Sequence, residues 1–394
     1  MRVLYISPSY TVHDRRFLEG IIELGDQAVF LPEASDGWPE QRPLPAGIER
    51  AGWNGNPLPE LARRLGCDLV HAGPLSSCAA RAARAGCRPL VAVSWGFDLL
   101  EQARSDPKAR LAVEQAIGAA QGVLVDCRTL EKEVRALVPD WQGVVECLPW
   151  GVDLGAFRPR GARSAVRERL GWDSMVVVMA TRNWEPLYRV DWVVEAFARA
   201  SAREARLRLI LAGSGSQRDQ IRRLVEERCR AGSVDLAGAL DPTAMGAWLE
   251  AADLYLSACP VDGTSVSLLE AMATGLAPVV ADTPSNREWV EEGRTGWLAG
   301  SIEGLAGCLM EAAAAGPETR GRMGRSARLE VERRADWRRN LPRLGELYRR
   351  AAQAATRVST FSQAGNGLGG AAPLGRSRGR PLGPGRLLAK GTVS

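Results

Sequence analysis

Short runs of consecutive apolar residues alternate along this chain with longer stretches whose apolar residues recur every three or four positions. The short runs predict strands buried on both faces, and the longer stretches predict amphipathic helices. Arg2-Val-Leu-Tyr-Ile-Ser7 opens as a strand, Pro8 to Asp14 follows as a polar loop, and Arg15 to Leu24 is a helix that stops at Gly25. Ala28 to Leu31 is the next strand, which makes a βαβ opening. Asp68 to His71, Leu90 to Ser94, Gly122 to Asp126 and Val144 to Leu148 continue the strands, with helices at 76–85, 107–120 and 129–137. Residues 32–60, rich in Pro, Gly and Trp, show no clear period. Pro149-Trp-Gly-Val-Asp-Leu-Gly-Ala-Phe-Arg-Pro159 then breaks the alternation and reads as a hinge.

A second alternating run follows. Strands are predicted at 175–180, 207–212, 234–238, 252–257 and 277–281, and helices at 190–200, 217–231, 301–315 and 317–334. Asp241-Pro-Thr243 has the form of a helix start, with Asp as N-cap and Pro at the first position. Gly293 to Gly300 reads as turns. Arg338 to Ala354 is a last, arginine-rich helix, and beyond it Ser, Gly, Pro and Arg predict disorder. The expected domains are therefore 1–150, 151–335, a closing helix at 336–355 and a basic tail at 356–394.

The chemistry concentrates in Asp262-Gly-Thr-Ser-Val-Ser-Leu-Leu-Glu-Ala-Met-Ala-Thr-Gly275, between two strands. A helix start offers free N–H groups and the positive end of the macrodipole, so a phosphate can sit there without a lysine. Thr264, Ser265 and Ser267 add hydroxyl groups, and Asp262 and Glu270 bracket the site with acceptors suited to sugar hydroxyls. The pattern points to a nucleotide-sugar site. Ser267-Leu-Leu-Glu270 also fits a capping box, in which Glu270 only returns a bond to the backbone. Both readings stand at this level.

Composition narrows the class. The chain has 394 residues, 45% hydrophobic and 25% charged, ordinary for a globular protein with sizeable cores. It contains no apolar run long enough for a membrane span, and its N-terminus reads as a strand rather than a signal peptide. Eight scattered cysteines without C-x-x-C spacing and two histidines make a zinc site improbable and suit reduced cytoplasmic thiols. Of the net charge of +5, the tail supplies Arg357, Arg376, Arg378, Arg380, Arg386 and Lys390 against no acid. The body is thus close to neutral and makes no case for nucleic acid.

Further motifs complete a pattern: Leu148-Pro-Trp-Gly-Val-Asp153 with Phe157-Arg-Pro159, Thr181-Arg-Asn-Trp-Glu-Pro-Leu-Tyr188, Ala212-Gly-Ser-Gly215, Asn286-Arg-Glu-Trp289 and Ala335-Asp-Trp337. With Asp262-x7-Glu270, these resemble the GT-B glycosyltransferases, and more closely family 4, the retaining group of bacterial glycan biosynthesis. The resemblance extends over residues 1–354 and is strongest over 146–300. It implies an α/β chain with two Rossmann-like, doubly wound domains facing a cleft, and a last helix that crosses back to the first domain. It implies transfer of a sugar from a nucleotide-diphosphate sugar to a glycan, lipid-linked or small-molecule acceptor, with retention and without a metal or other cofactor. The expected place is the cytoplasm; by their charge the arginine-rich helix and basic tail suit either peripheral contact with anionic membrane or an ordinary solvated face, and both readings stand. By the same resemblance Arg182 neutralises the leaving diphosphate, Ser265 and Val266 offer it backbone N–H groups, Asp262 holds sugar hydroxyls and Glu270 the ribose. Arg189, Gly213, Leu240, Gly263 and Thr264 join the donor side, with Met245 beside Leu240 at the base.

Departures from the family's pattern fall at informative places. Tyr188 stands where a lysine is usual, and Arg189 follows it as a substitute. Trp95-Gly-Phe-Asp98 lacks the histidine expected before Gly-x-Asp, so Asp98 or His71 is the candidate in its stead; His71 also has a packing reading. The glycine-rich turn after the first strand is absent, and Tyr10, His13, Arg16, His71 and Trp95 are the acceptor-side candidates. The alternatives are a nucleotide-sugar 2-epimerase and a degenerate, non-catalytic binding protein.

Overall fold

The computed structural model describes residues 1–34, 40–53, 55, 57–159 and 165–365. The apolar runs form strands: β1 (Arg2–Ser7), β2 (Gln27–Pro32), β3 (Glu49–Arg50), β4 (Leu69–Ala72), β5 (Leu90–Val93), β6 (Gly122–Val125) and β7 (Val144–Cys147) make one parallel sheet in the order β3-β2-β1-β4-β5-β6-β7. After the hinge, β8 (Val176–Ala180), β9 (Leu207–Ala212), β10 (Val234–Gly238), β11 (Leu254–Ser257), β12 (Ala277–Ala281) and β13 (Trp297–Ala299) make a second, in the order β10-β9-β8-β11-β12-β13. Helices cover both faces of each sheet, so the central strands are buried throughout, as their unbroken apolar runs require. Strand order reverses between β1 and β4 and again between β8 and β11. Open α/β sheets bind ligands at the carboxyl ends beside such points.

Several expectations need correction. The first helix is Val12–Glu23, not 15–24, because Thr11 and Asp14 form a capping box in which Thr11 N donates to Asp14 Oδ2 at 2.8 Å and Asp14 N to Thr11 Oγ1 at 3.2 Å. His13 and Arg16 therefore ride on a helix rather than a loop. Two strands escaped the pattern. β3 is a two-residue edge inside the Pro/Gly/Trp-rich stretch, and β13 lies inside the region read as turns. Gly296 admits β13, since a Cβ there would strike the Pro278 carbonyl. Asp241 does not start a helix; its Oδ1 accepts from Thr243 N at 2.7 Å within a turn, and the helix is Met245–Leu249. A wide helical turn, Asp98–Gln102, and Ala103–Ser105 were not anticipated.

Residues 1–355 make one compact unit. The last helix, Trp337–Gly365, packs Trp337, Leu341, Leu344, Leu347 and Tyr348 with Tyr5, Phe17 and Val91 of the first half. Gly20 permits the approach, because a Cβ there would lie 2.7 Å from Trp337 and 2.8 Å from Leu341. This crossing runs beside the hinge: Val152 N donates to Ala335 O at 2.8 Å and Asn340 Nδ2 to Pro149 O at 3.1 Å. The helix continues to Gly365, ten residues into the segment expected to be disordered, because Ala351 to Ala355 and the residues after them contain no helix breaker before glycine. Residues 366–394 lie outside the described residues.

Candidate functional site

The loop after β11 leads into the helix Val266–Thr274, which ends at Gly275 with φ +89°. Ser265 is the N-cap, and its Oγ accepts from Leu268 N at 3.4 Å. This removes the capping-box reading of Ser267 and Glu270. Glu270 is the fifth helical residue, a full turn in, and its carboxylate meets Arg16 of the first half. Arg182, from the loop after β8, reaches the same helix start. Its guanidinium lies 2.9 Å from Asp262 and donates to Ser265 Oγ at 2.8 Å and Ser267 Oγ at 3.3 Å. The Tyr188 ring stacks on its other face at 4.1 Å, and Tyr255 OH meets Ser267 Oγ at 2.9 Å. The switch point of the second sheet thus carries a fixed arginine, two hydroxyls and a helix N-terminus, a ready anion site.

The acids respond to this setting. Burial pushes the Asp262 carboxyl above its usual range, and Arg182 pulls it back. Burial raises Glu270 to about 7, against the opposing charge of Arg16. Arg16 Nη2 lies 3.8 Å from Glu270 Oε1, while its Nη1 donates to Gly151 O at 2.6 Å. Arg16 therefore ties the first half to the hinge and to the helix Val266–Thr274.

The other donor candidates divide. Gly213, at φ +129°, lets its loop lie against the Arg182 carbonyl, where a Cβ would clash. It lines a cavity of about 260 Å³ with Trp184, Arg218, Arg222 and Ala239. Leu240 packs with Met245 into the core of the second half and does not line that cavity. Thr264 Oγ1 donates to Asp126 O at 2.7 Å, and Val266 packs against the first half's apolar cluster. Gly263 touches Gly96, whose Cβ, if present, would lie 2.7 Å from Gly263 N. Arg189 does not replace the missing lysine. It forks onto Asp191 at 3.1 and 2.9 Å and stacks on Trp192 at 4.4 Å, because its φ of +48° turns the chain into the next helix.

Four first-half candidates are corrected or reassigned. His71 is core: its Nδ1 meets Tyr348 OH at 2.8 Å and its ring stacks on Tyr5 at 4.4 Å. Tyr10 is fully buried, with its hydroxyl bonded to Pro43 O at 3.4 Å. Asp98 is closed in by four donors, from Ser94 Oγ at 2.6 Å and the amides of Leu75 at 2.8 Å, Leu99 at 3.0 Å and Trp95 at 3.2 Å. With both oxygens so engaged, it locks the loop after β5 and is not available as a base. Trp95 is an apolar wall, edge-on to Trp150 at 6.3 Å. Of the five acceptor-side candidates, Arg16 meets Glu270 of the second half, and the charge of Arg182 bears on His13.

Two residues were missed. Asp126, at the end of β6, is 3% exposed, and its Oδ1 has no hydrogen-bond partner among the described residues. It abuts Gly263, and burial, with Asp262 adding to it, pushes its carboxyl up to about 8. An acid after four strand residues was the available signal. Glu288, inside Asn286-Arg-Glu-Trp289, caps the helix Arg128–Leu137 of the other half, accepting from Arg128 N at 3.0 Å and from Thr129 N and Oγ1 at 2.8 and 2.7 Å. A cap supplied from 160 positions away leaves no local signal.

Two doubly wound sheets on either side of a cleft, with an anion site at the switch point of the second, define the GT-B fold. Sequence and structure comparison then place this chain close to one group within it: residues 174–315 match the profile of the glycosyl transferases group 1. HepE of Anabaena, solved with UDP-glucose, superposes with a TM-score of 0.73 at 19% identity over 88% of this chain and 98% of that one. Sucrose-phosphate synthase of Thermosynechococcus elongatus does so with 0.74 at 18% identity, covering 90% and 100%. A D-inositol 3-phosphate glycosyltransferase of Gordonia bronchialis is 29% identical over 264 residues, 63% of this chain and 57% of the relative, so this chain spans little more than half of that protein's length.

Proposed function

We propose that this protein is a retaining glycosyltransferase that moves a sugar from a nucleotide-diphosphate sugar to a glycan, lipid-linked or small-molecule acceptor. The observation that carries the reading is Arg182, held against Asp262, Ser265 and Ser267 at the start of a helix. Breaking a glycosyl–phosphate bond builds negative charge on the departing diphosphate. Prepositioned N–H donors and a guanidinium stabilise that charge where it develops. In this scheme Arg182 and the helix start supply the positive charge, with no role assigned to a metal. Asp262 orients sugar hydroxyls, Glu270 accepts from the ribose, and the acceptor attacks from the face the diphosphate leaves.

The test is a thermal-shift and turnover screen with UDP-, GDP- and ADP-sugars on the wild type and Glu270→Gln. The cognate donor is expected to raise Tm and to be turned over equally with and without EDTA. Glu270→Gln is expected to keep the fold and lose about tenfold in donor affinity, as when one charged hydrogen-bond partner is removed. Burial raises Glu270 to about 7, and ribose hydroxyls favour its charged form, so wild-type donor affinity is expected to fall below pH 7 and the variant's to lack that dependence. Turnover with no common donor, despite binding, would favour the non-catalytic alternative, for which Tyr188 and Trp95 speak. The relatives reported above lend no support to the epimerase alternative; formation of a C2 epimer without transfer would restore it.

Among the described residues no helix is long and apolar enough to cross a membrane. We place the protein at the cytoplasmic membrane face, in contact with anionic lipid through Arg338, Arg339 and Arg350, which are exposed on the last helix. Each such charge near the surface adds about 1 kcal/mol. The protein is expected to float with phosphatidylglycerol-rich vesicles at low salt and not with neutral ones; its absence from the floated fraction in both cases rejects the contact.

A further inference from the structure

The chain crosses between its halves twice, and the two crossings meet. Trp150 packs in the apolar cluster of the first half and Val152 in one of the second, with Gly151 turning between them at φ +70°. On the return, Ala335 belongs to the second half's cluster and Trp337 to the first's. Val152 N donates to Ala335 O at 2.8 Å and Trp337 N to Val152 O at 3.2 Å, so Gly151 and Asp336 mark one pivot.

Arg16, on the helix Val12–Glu23, is fastened to that pivot. Its Nη1 donates to Gly151 O at 2.6 Å and to Trp150 O at 3.4 Å, and its Nη2 lies 3.8 Å from Glu270 Oε1. Among the described residues Arg16 is the one ion-pair partner of Glu270. The other acids near Arg16 are engaged: Glu19 pairs with Arg15 at 2.8 Å, and Asp153 accepts from Gly155 N at 2.8 Å. At 3.8 Å the pair is a charge contact rather than a hydrogen bond, and the Glu270 side chain is 18% exposed, so its acceptor sites stay open to a ligand. Burial disfavours charge on Glu270, and the Arg16 guanidinium opposes that. A braced cation that steadies an acid without using up its hydrogen-bonding capacity leaves that acid ready for hydroxyl groups.

We propose that Arg16 is a positioning residue of the donor site: braced on the pivot, it holds the Glu270 carboxylate in place for the ribose hydroxyls of a nucleoside diphosphate. This rests on the donor role given to Glu270 above. It moves Arg16 from the acceptor side to the donor side, so that the site of the second half is incomplete without the first.

Binding to the full chain is measured by calorimetry with UDP, GDP and ADP and with their 2′,3′-dideoxy forms, which lack the ribose hydroxyls. The nucleotide that wild type binds best is carried through the variants, with a melting curve for each. Glu270→Gln is expected to weaken it about tenfold and Arg16→Gln about fivefold, while the double variant stays within about twofold of Glu270→Gln alone, because Arg16 acts through Glu270. The dideoxy form is expected to bind wild type and Arg16→Gln within about twofold of each other, which general damage to the site would not give. Arg16→Lys replaces a fork that spans Gly151 O and Glu270 by a single nitrogen. It is expected to fall between wild type and Arg16→Gln in ribose-dependent binding, and it decides the matter where Arg16→Gln does not fold. Losses that multiply in the double variant, or that are equal for the ribose and dideoxy forms, overturn the inference and leave the donor reading intact. A folded Arg16→Gln that binds like wild type does the same. Binding of none of the nucleotides to wild type overturns both.

Discussion

Arg182→Ala is expected to lower kcat/KM for the cognate donor by about 10²–10³-fold, the effect of removing one prepositioned donor from a developing oxyanion, or ~3–4 kcal/mol. The side chain answers to three constraints at once. It lies 2.9 Å from Asp262, donates to two serine hydroxyls and is roofed by Tyr188 at 4.1 Å. Its removal also leaves Asp262 without the charge that offsets its burial, so the carboxyl moves further up and toward its neutral form. Arg182→Lys is expected to recover little of the loss, since an ammonium cannot serve Asp262, Ser265 and Ser267 in one plane or stack on Tyr188. Steady-state kinetics with a melting curve for each variant separate chemistry from folding. A folded alanine variant within tenfold of wild type would remove Arg182 from the mechanism and with it the central support for the proposed function.

Asp98→Ala is expected to act on stability instead. It strands four donors that point at a fully buried carboxyl, at a cost of about 3 kcal/mol or more. A loss of this size lowers Tm by roughly 5–10 °C. Burial raises the Asp98 carboxyl, while Ser94 and the amides of Leu75, Trp95 and Leu99 oppose it by favouring the charged form. Asp98→Asn keeps one acceptor and turns an amide NH₂ toward amide donors, so it is expected to be destabilised nearly as much. Turnover per folded molecule should change less than threefold, the scatter of a loop held slightly off position. A variant that melts like wild type but loses a hundredfold in turnover would return Asp98 to the site.

The sequence carried the broad architecture because local physics dictates it. Buried strands in parallel sheets need unbroken apolar runs, and helices between them need a period near 3.6, so most strands were legible to within two residues. Short elements were not. β3 and β13 have two and three residues, fewer than a periodic pattern requires. The helix start at Val266 was legible too, since small polar residues before an apolar helix can serve few other ends.

Contacts between distant residues were the part that only the tertiary structure decided. In one dimension His71 and His13 are both histidines near the carboxyl ends of strands; packing closes the first against Tyr5 and Tyr348 and sets the second edge-on to Trp150 of the hinge. Arg182 and Arg189 are both arginines of one motif, and a single backbone angle sends the second to Asp191. Glu270 could equally have capped its helix until Ser265 proved to be the cap and Arg16 its facing charge. Sequence thus determined the two halves, the hinge and the anion-binding helix, which follow from short-range periodicity and helix-end chemistry. Which side chains meet across the cleft depends on how the two halves pack, and no local pattern encodes that.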